Sequence, residues 1–395
     1  MIAEIYRNML DAKSVIRETF AYGARRAEEI GYENVFDYSL GNPSVPAPEK
    51  LTKSLIRLLE TKSPAELHGY SPTLGNQEAR EAVAKSLSDR FHMEYKAQHI
   101  FMTNGAASSI AHALRAVTVP GDTVLTFAPY FPEYQPYVTL AGLNLKIVPP
   151  DLKLFQMDFE KLEEMLTEEV MAVLINTPNN PSGTAYTTKT LEEMARILHK
   201  KEQEYGHDIY VISDEPYREI TFAGSDSPYP ASIYDKTITC YSFSKSLSIP
   251  GERIGYVAIA PQCPDAELLI DMCGQISRGI GHNCPSSLIQ LAVKEVLYDT
   301  ADLSVYETNR NLLYGKLIEL GFSCVEPQGT FYMFPRALEE DANAFCMRAR
   351  KFDLLLVPGD TFGCPGFFRI SFCVETEKVK RSLPAFEKLA ESYRA

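Results

Sequence analysis

The centre of the chain alternates short apolar runs with longer amphipathic stretches, and this alternation narrows the folds open to it. Residues 122–127, 170–176, 209–213, 237–242 and 254–259 read as strands buried on both faces. Between them lie helix-like stretches. In residues 191–205, Leu191, Met194, Ile197 and Leu198 recur at helical spacing. Strand–helix alternation of this kind builds a mostly parallel sheet sandwiched by helices. After Pro285 the pattern changes. Two helical stretches (286–298 and 302–320) lead into short β-like pieces at 330–334 and 367–373, and a final helix follows. The expectation is an α/β fold: a large domain over residues 46–290 and a smaller α+β domain built from residues 1–45 and 291–395.

Bulk properties exclude several classes. A chain of 395 residues with 45% hydrophobic and 23% charged residues can bury a sizeable core. A formal charge of −13 without a basic stripe argues against a nucleic-acid partner. No apolar run approaches membrane-spanning length, and Glu4, Arg7 and Asp11 interrupt any signal-peptide core. The eight cysteines include no Cys-x-x-Cys and, like the seven histidines, are dispersed, which predicts reduced thiols, a cytoplasmic location and no metal site.

Five motifs carry chemistry. In Ser242-Phe243-Ser244-Lys245-Ser246, a lysine sits among small hydroxyl residues just after a strand, with Arg253 eight residues later and Ile254-Gly255-Tyr256 behind it. Thr103-Asn104-Gly105-Ala106-Ala107-Ser108-Ser109 opens a helix with residues small enough to let backbone N–H groups approach an anion, or simply to pack the helix closely. Asn176-Thr177-Pro178-Asn179-Asn180-Pro181 is a turn after a strand. Asp214-Glu215-Pro216-Tyr217 puts a carboxylate and a phenol at the C-terminal end of another strand, the edge where open α/β sheets bind ligands, although Asp214 would also serve as a helix cap. Phe368-Arg369-Ile370-Ser371-Phe372 buries an arginine in an apolar strand, which is costly unless it is paired.

The order and spacing of Asn180, Asp214, Tyr217, Lys245, Arg253 and Arg369, with Gly41-Asn42-Pro43, Tyr70, Gly75 and Pro129-Tyr130-Phe131-Pro132, resemble those of the class I/II aminotransferases. These belong to fold type I of the enzymes that use pyridoxal 5'-phosphate (PLP), the aspartate aminotransferase superfamily. The resemblance runs from about residue 35 to the end of the chain. It implies that Lys245 holds PLP as a Schiff base and then moves the proton at the substrate Cα. It implies that Asp214 faces the pyridine nitrogen and that Tyr217 and Asn180 bond the phenolic oxygen. Phe131 would stack on the ring, although an aromatic there also suits a core. Ser242, Arg253 and the amides of Gly105, Ala106 and Ala107 would bind the phosphate. Arg369, with Asn180 and the Gly41 backbone, would take the substrate α-carboxylate. Tyr70 resembles the tyrosine that reaches the phosphate from a neighbouring subunit, which implies a homodimer with shared active sites.

The resemblance therefore implies transfer of the α-amino group of an L-amino acid to a 2-oxo acid such as 2-oxoglutarate. Some bacterial aspartate-type members carry a lysine in the phosphate loop; here Gly105-Ala106-Ala107-Ser108 has none. Arg278, five residues before Asn283, is spaced like the arginine other members project across the dimer interface to a second substrate carboxylate; a solvated arginine near a helix end has the same spacing. A carbon–sulfur β-lyase on the same scaffold would keep the same residues and is the alternative. A DNA-binding regulator of this fold is disfavoured by the acidic chain, by the intact lysine and by the roughly 35 residues ahead of the match. A nicotinamide dehydrogenase is disfavoured because no Gly-x-Gly-x-x-Gly follows a strand.

Overall fold

In the computed structural model, which describes residues 3–11 and 14–394, seven strands form one sheet. Across the sheet they run Ile100–Thr103, Gly255–Ile259, Thr237–Ser242, Tyr210–Asp214, Val170–Asn176, Thr123–Phe127 and Asn144–Val148. Every pairing is parallel except those of Gly255–Ile259, which is antiparallel to both neighbours. The fold is therefore α/β with a mostly parallel sheet between helices, as expected.

Period-2 alternation explains why the central strands read as continuous apolar runs. Val124, Ala172, Leu174 and Ile212 pack on one face with Ile110, Ala113 and Leu114 of the helix Ala106–Val117. Their neighbours Leu125, Val173 and Val211 pack on the other face with Leu191, Met194 and Leu198 of the helix Thr188–Tyr205. Two sheet strands lay outside the expectation. Ile100–Thr103 spans only four residues, and Asn144–Val148 is an edge strand whose exposed Asn144 and half-buried Lys146 dilute the apolar signal.

A second core gathers the C-terminal residues Tyr306, Phe331, Phe345, Phe368 and Phe386 with Tyr38 and Val45 from near the N-terminus. Phe36–Asp37 pairs in parallel with Leu354–Leu355. A small antiparallel sheet of Val357–Pro358, Phe368–Ser371 and Tyr332–Met333 lies beside them. Residues 36–45 are thus held to the C-terminal part of the chain, and they carry Gly41 to the mouth of the large sheet.

One glycine in the sheet has a steric reason. A Cβ at Gly255 would stand 2.2 Å from the Tyr241 carbonyl oxygen and 3.0 Å from the Gly105 Cα, both backbone atoms that cannot swing away. Gly255→Ala is therefore expected to cost roughly 1–3 kcal/mol in chemical denaturation, and to displace the loop at Gly105.

Candidate active site

The strand registers bring one row of residues to the C-terminal edge of the sheet. Asn176 pairs with Asp214, and Ser242 and Thr103 both pair with Gly255. A cavity of about 320 Å³ opens there. Of the expected site residues, Gly41, Ala106, Ala107, Phe131, Asn180, Asp214, Tyr217, Ser242, Lys245, Arg253 and Arg369 line it. Gly105 lies immediately behind, at the N-cap of the helix Ala106–Val117. Tyr70 and Arg278 lie outside it, both exposed, Tyr70 completely so (107%).

Lys245 projects from the short helix Phe243–Ser246, capped by the Ser242 hydroxyl, which accepts from the Ser244 N–H at 3.2 Å. Its Nζ donates to the Gly41 carbonyl at 2.7 Å. Burial lowers the Lys245 ammonium to about 8, and the positive charges of Arg253 and Arg369 push the same way. The amine is thus within reach of its neutral, nucleophilic form near neutral pH.

Asp214 has one oxygen held and one free. The Tyr134 hydroxyl donates to Oδ2 at 2.6 Å, while Oδ1 is buried without a partner among the described residues. Arg369 is similarly incomplete. Nη1 donates to Asn180 Oδ1 at 3.0 Å and Nη2 to the Ser39 carbonyl at 2.5 Å, while Nε has no partner. The guanidinium lies between the rings of Tyr332 (4.7 Å) and Phe362 (4.8 Å). Among the described residues no carboxylate pairs with it, and burial lowers its pKa.

The phosphate end is also preformed. Arg253 takes a left-handed backbone (φ 51°), which directs its guanidinium to the Pro250 (2.9 Å) and Asn104 (3.3 Å) carbonyls. A Cβ on Gly105 (φ 85°) would stand 3.0 Å from Arg253 Nη2 and 3.6 Å from Ser242 Oγ. The space that glycine leaves is bounded by a cation, a hydroxyl and a helix N-terminus whose first N–H groups have no intrahelical acceptor. This cradle fits a phosphate, the unpartnered Asp214 oxygen fits a protonated ring nitrogen, and Lys245 fits an aldehyde. The donor set therefore fits PLP.

Several residues that shape the site were not foreseen. Asn176 accepts from the Asn180 N–H at 2.6 Å and donates to the Asp214 carbonyl at 2.8 Å, joining two of the expected residues. Tyr332 meets the Tyr217 hydroxyl at 3.2 Å, and its own hydroxyl fills the space a Cβ on Gly41 would need. No motif in the sequence singles out Tyr134 or Tyr332; both are buried in the structure, where a tyrosine needs a partner for its hydroxyl.

Burial pushes the Asp214 carboxyl up to about 7. Its unfolded value is near 3.9, so the cofactor-free folded state binds the extra proton between these values, and stability falls as pH rises from about 4 to about 7. Asp214→Asn removes that loss. Denaturation of the cofactor-free protein at pH 5 and pH 8 should show the parent losing about 2 kcal/mol or more relative to the variant. Parallel curves would mean that Asp214 ionises freely.

Comparison with known proteins shows the family and the fold. The profile of the family described as aminotransferase class I and II matches residues 33–386. The aspartate aminotransferase of Thermotoga maritima is 30% identical over 91% of this chain and 92% of its own. The aromatic-amino-acid aminotransferase 2 of Thermococcus litoralis is 30% identical over the same shares of each chain. Among solved structures, an aminotransferase from Eubacterium rectale superposes with a TM-score of 0.97 at 43% identity, covering all of both chains. The T. maritima enzyme superposes with a TM-score of 0.86 at 28% identity, over 96% of this chain and 97% of that one. The chain belongs to the class I and II aminotransferases, a PLP-dependent family.

Proposed function

We propose that the protein transfers the α-amino group of an L-amino acid, aspartate or glutamate among them, to a 2-oxo acid such as 2-oxoglutarate. The observation that carries this is the set of three charged groups in one cavity: an amine of lowered pKa and, among the described residues, a carboxylate oxygen without a partner and an arginine without a counter-ion. Bound there, PLP supplies an aldehyde that takes up the amino group and a ring that stabilises negative charge at the substrate Cα. Lys245 would hold the aldehyde carbon and would move the proton at Cα. Asp214 Oδ1 would keep the ring nitrogen protonated. Tyr217 and Asn180 would donate to the phenolic oxygen, and Phe131 would cover the ring. Ser242, Arg253 and the amides of Gly105, Ala106 and Ala107 would hold the phosphate. Arg369 takes the substrate α-carboxylate in a two-bonded fork, with Asn180 and Gly41 beside it.

The active species in this reading is a homodimer, and full exposure of Tyr70 outside its own cavity supports a role in a partner's site. In this reading residues 46–290 carry the PLP-binding domain, and the described residues before and after them the smaller one. Eight free cysteines support a cytoplasmic location, and no helix among the described residues is long and apolar enough to cross a membrane. The aminotransferase names of the relatives favour transfer over elimination.

Titrating the PLP-loaded protein with a panel of amino acids tests the reaction. Aspartate or glutamate should bleach the visible band in one half-reaction, and 2-oxoglutarate should restore it. Release of pyruvate and ammonia would instead mean elimination. Arg278, the candidate for the distal carboxylate, is exposed on the last turn of the helix Ala266–Ile280. Arg278→Ala should lower kcat/KM for dicarboxylates by roughly 30-fold or more while sparing alanine and aromatic substrates. An equal loss for both classes would remove Arg278 from the site.

A further inference from the structure

The turn after the Tyr210–Asp214 strand has an inner and an outer face. Asp214, Pro216 and Tyr217 line the main cavity, whereas Arg218 lines a separate, much smaller one behind it. Glu215, 1% exposed, bonds Arg218 across the turn, Nε to Oε2 at 2.7 Å. Its other oxygen accepts from Thr239 at 3.2 Å. The Arg218 guanidinium donates to the Tyr256 hydroxyl at 3.0 Å and sits over the rings of Tyr241 (4.7 Å), Tyr229 (4.9 Å) and Phe91 (5.4 Å). Tyr241 and Tyr256 immediately neighbour Ser242 and Gly255 in their strands.

The same layer reaches the lysine. Glu219 accepts from Arg90 at 2.9 Å and from the Tyr241 hydroxyl at 2.8 Å, and that hydroxyl meets Ser246, the residue after Lys245, at 2.8 Å. A buried ion pair is poor value as a stabilising device, because desolvation offsets its attraction and apolar residues would fill the space as well. What it does supply is a fixed geometry, since the planar guanidinium is held by directed bonds at Nε and Nη1 and by the rings around it, although Nη2 has no partner among the described residues.

We propose that Arg218, through its bridge to Glu215 and its seat on the strands that bear Ser242 and Gly255, is a positioning residue that sets where Asp214 and Tyr217 stand relative to Lys245. This rests on the reading of Asp214 and Tyr217 as partners of the PLP ring. Arg218 touches neither cofactor nor substrate. It acts through the turn, so its loss should disturb the bound cofactor's titration more than substrate binding.

The test uses PLP-loaded protein and reads the pH midpoint of the visible band alongside kcat and KM. Arg253, Arg369 and the Cys373 thiol, which act on Lys245 electrostatically, are the same in every variant. Arg218→Met strands the Glu215 charge, so Glu215→Gln/Arg218→Met, which leaves no unpaired charge, is measured with it. Both should raise the midpoint by about 0.5 pH unit or more and lower kcat roughly 10-fold with KM nearly unchanged, and Arg218→Lys should recover part of the shift. In a Tyr217→Phe background the shift should largely vanish, because the residue acted upon is gone. An unmoved midpoint in the double variant, or an equal shift with and without Tyr217, overturns the role. A parent that shows no visible band defeats the reading of the site itself, and this role with it.

Discussion

The structure is organised around buried charge that the chain leaves incomplete. Asp214 keeps one oxygen, and Arg369 one nitrogen, buried without a partner, while Lys245 is held close to its neutral form. Each costs folding free energy on its own: the two unpartnered atoms forfeit their hydration, and Lys245 is buried with a single bond, to the Gly41 carbonyl. The three face one cavity from different parts of the chain, and a ligand with a cationic ring nitrogen, an aldehyde and an anionic substrate partner satisfies all of them. Such a concentration of perturbed groups in a cleft marks a functional site on physical grounds.

The rest of the fold can be read as support for that cluster. The parallel sheet brings Asn176, Asp214 and Ser242 to one edge, and the reversed strand Gly255–Ile259 lets the Gly105 loop approach from the side. The second core holds Arg369 and delivers the Ser39 and Gly41 carbonyls, which accept from Arg369 and Lys245 respectively. Residues 39–41 therefore bond directly to both cations. A ligand can engage the free Nε of Arg369 with the Ser39 bond intact, whereas moving Lys245 Nζ would stretch its bond to the Gly41 carbonyl.

How much was legible in the sequence follows the range of the interactions. Five sheet strands were readable because burial on both faces makes their residues apolar, and the motifs at Lys245, Asp214 and Asn180 were readable because each sits at the end of such a strand. The edge strand Asn144–Val148 and the two-residue strands Phe36–Asp37 and Leu354–Leu355 carry too little pattern to be seen. Tyr134, Tyr332 and Arg218 were missed for another reason. Tyr134 reaches Asp214 across 80 positions and Tyr217 meets Tyr332 across 115, so nothing local distinguishes these tyrosines from core aromatics. Arg218 looks like a surface residue after a turn until the rings of Phe91, Tyr229 and Tyr241 are seen around it.

The central claim is that Lys245 is the amine that takes the cofactor. Borohydride reduction of the PLP-loaded protein makes that bond permanent, and peptide mapping then locates it. The account predicts a single modified peptide carrying the label on Lys245 and none when Lys245→Ala is treated in the same way. A label on any other lysine, or an undiminished label in Lys245→Ala, would contradict it.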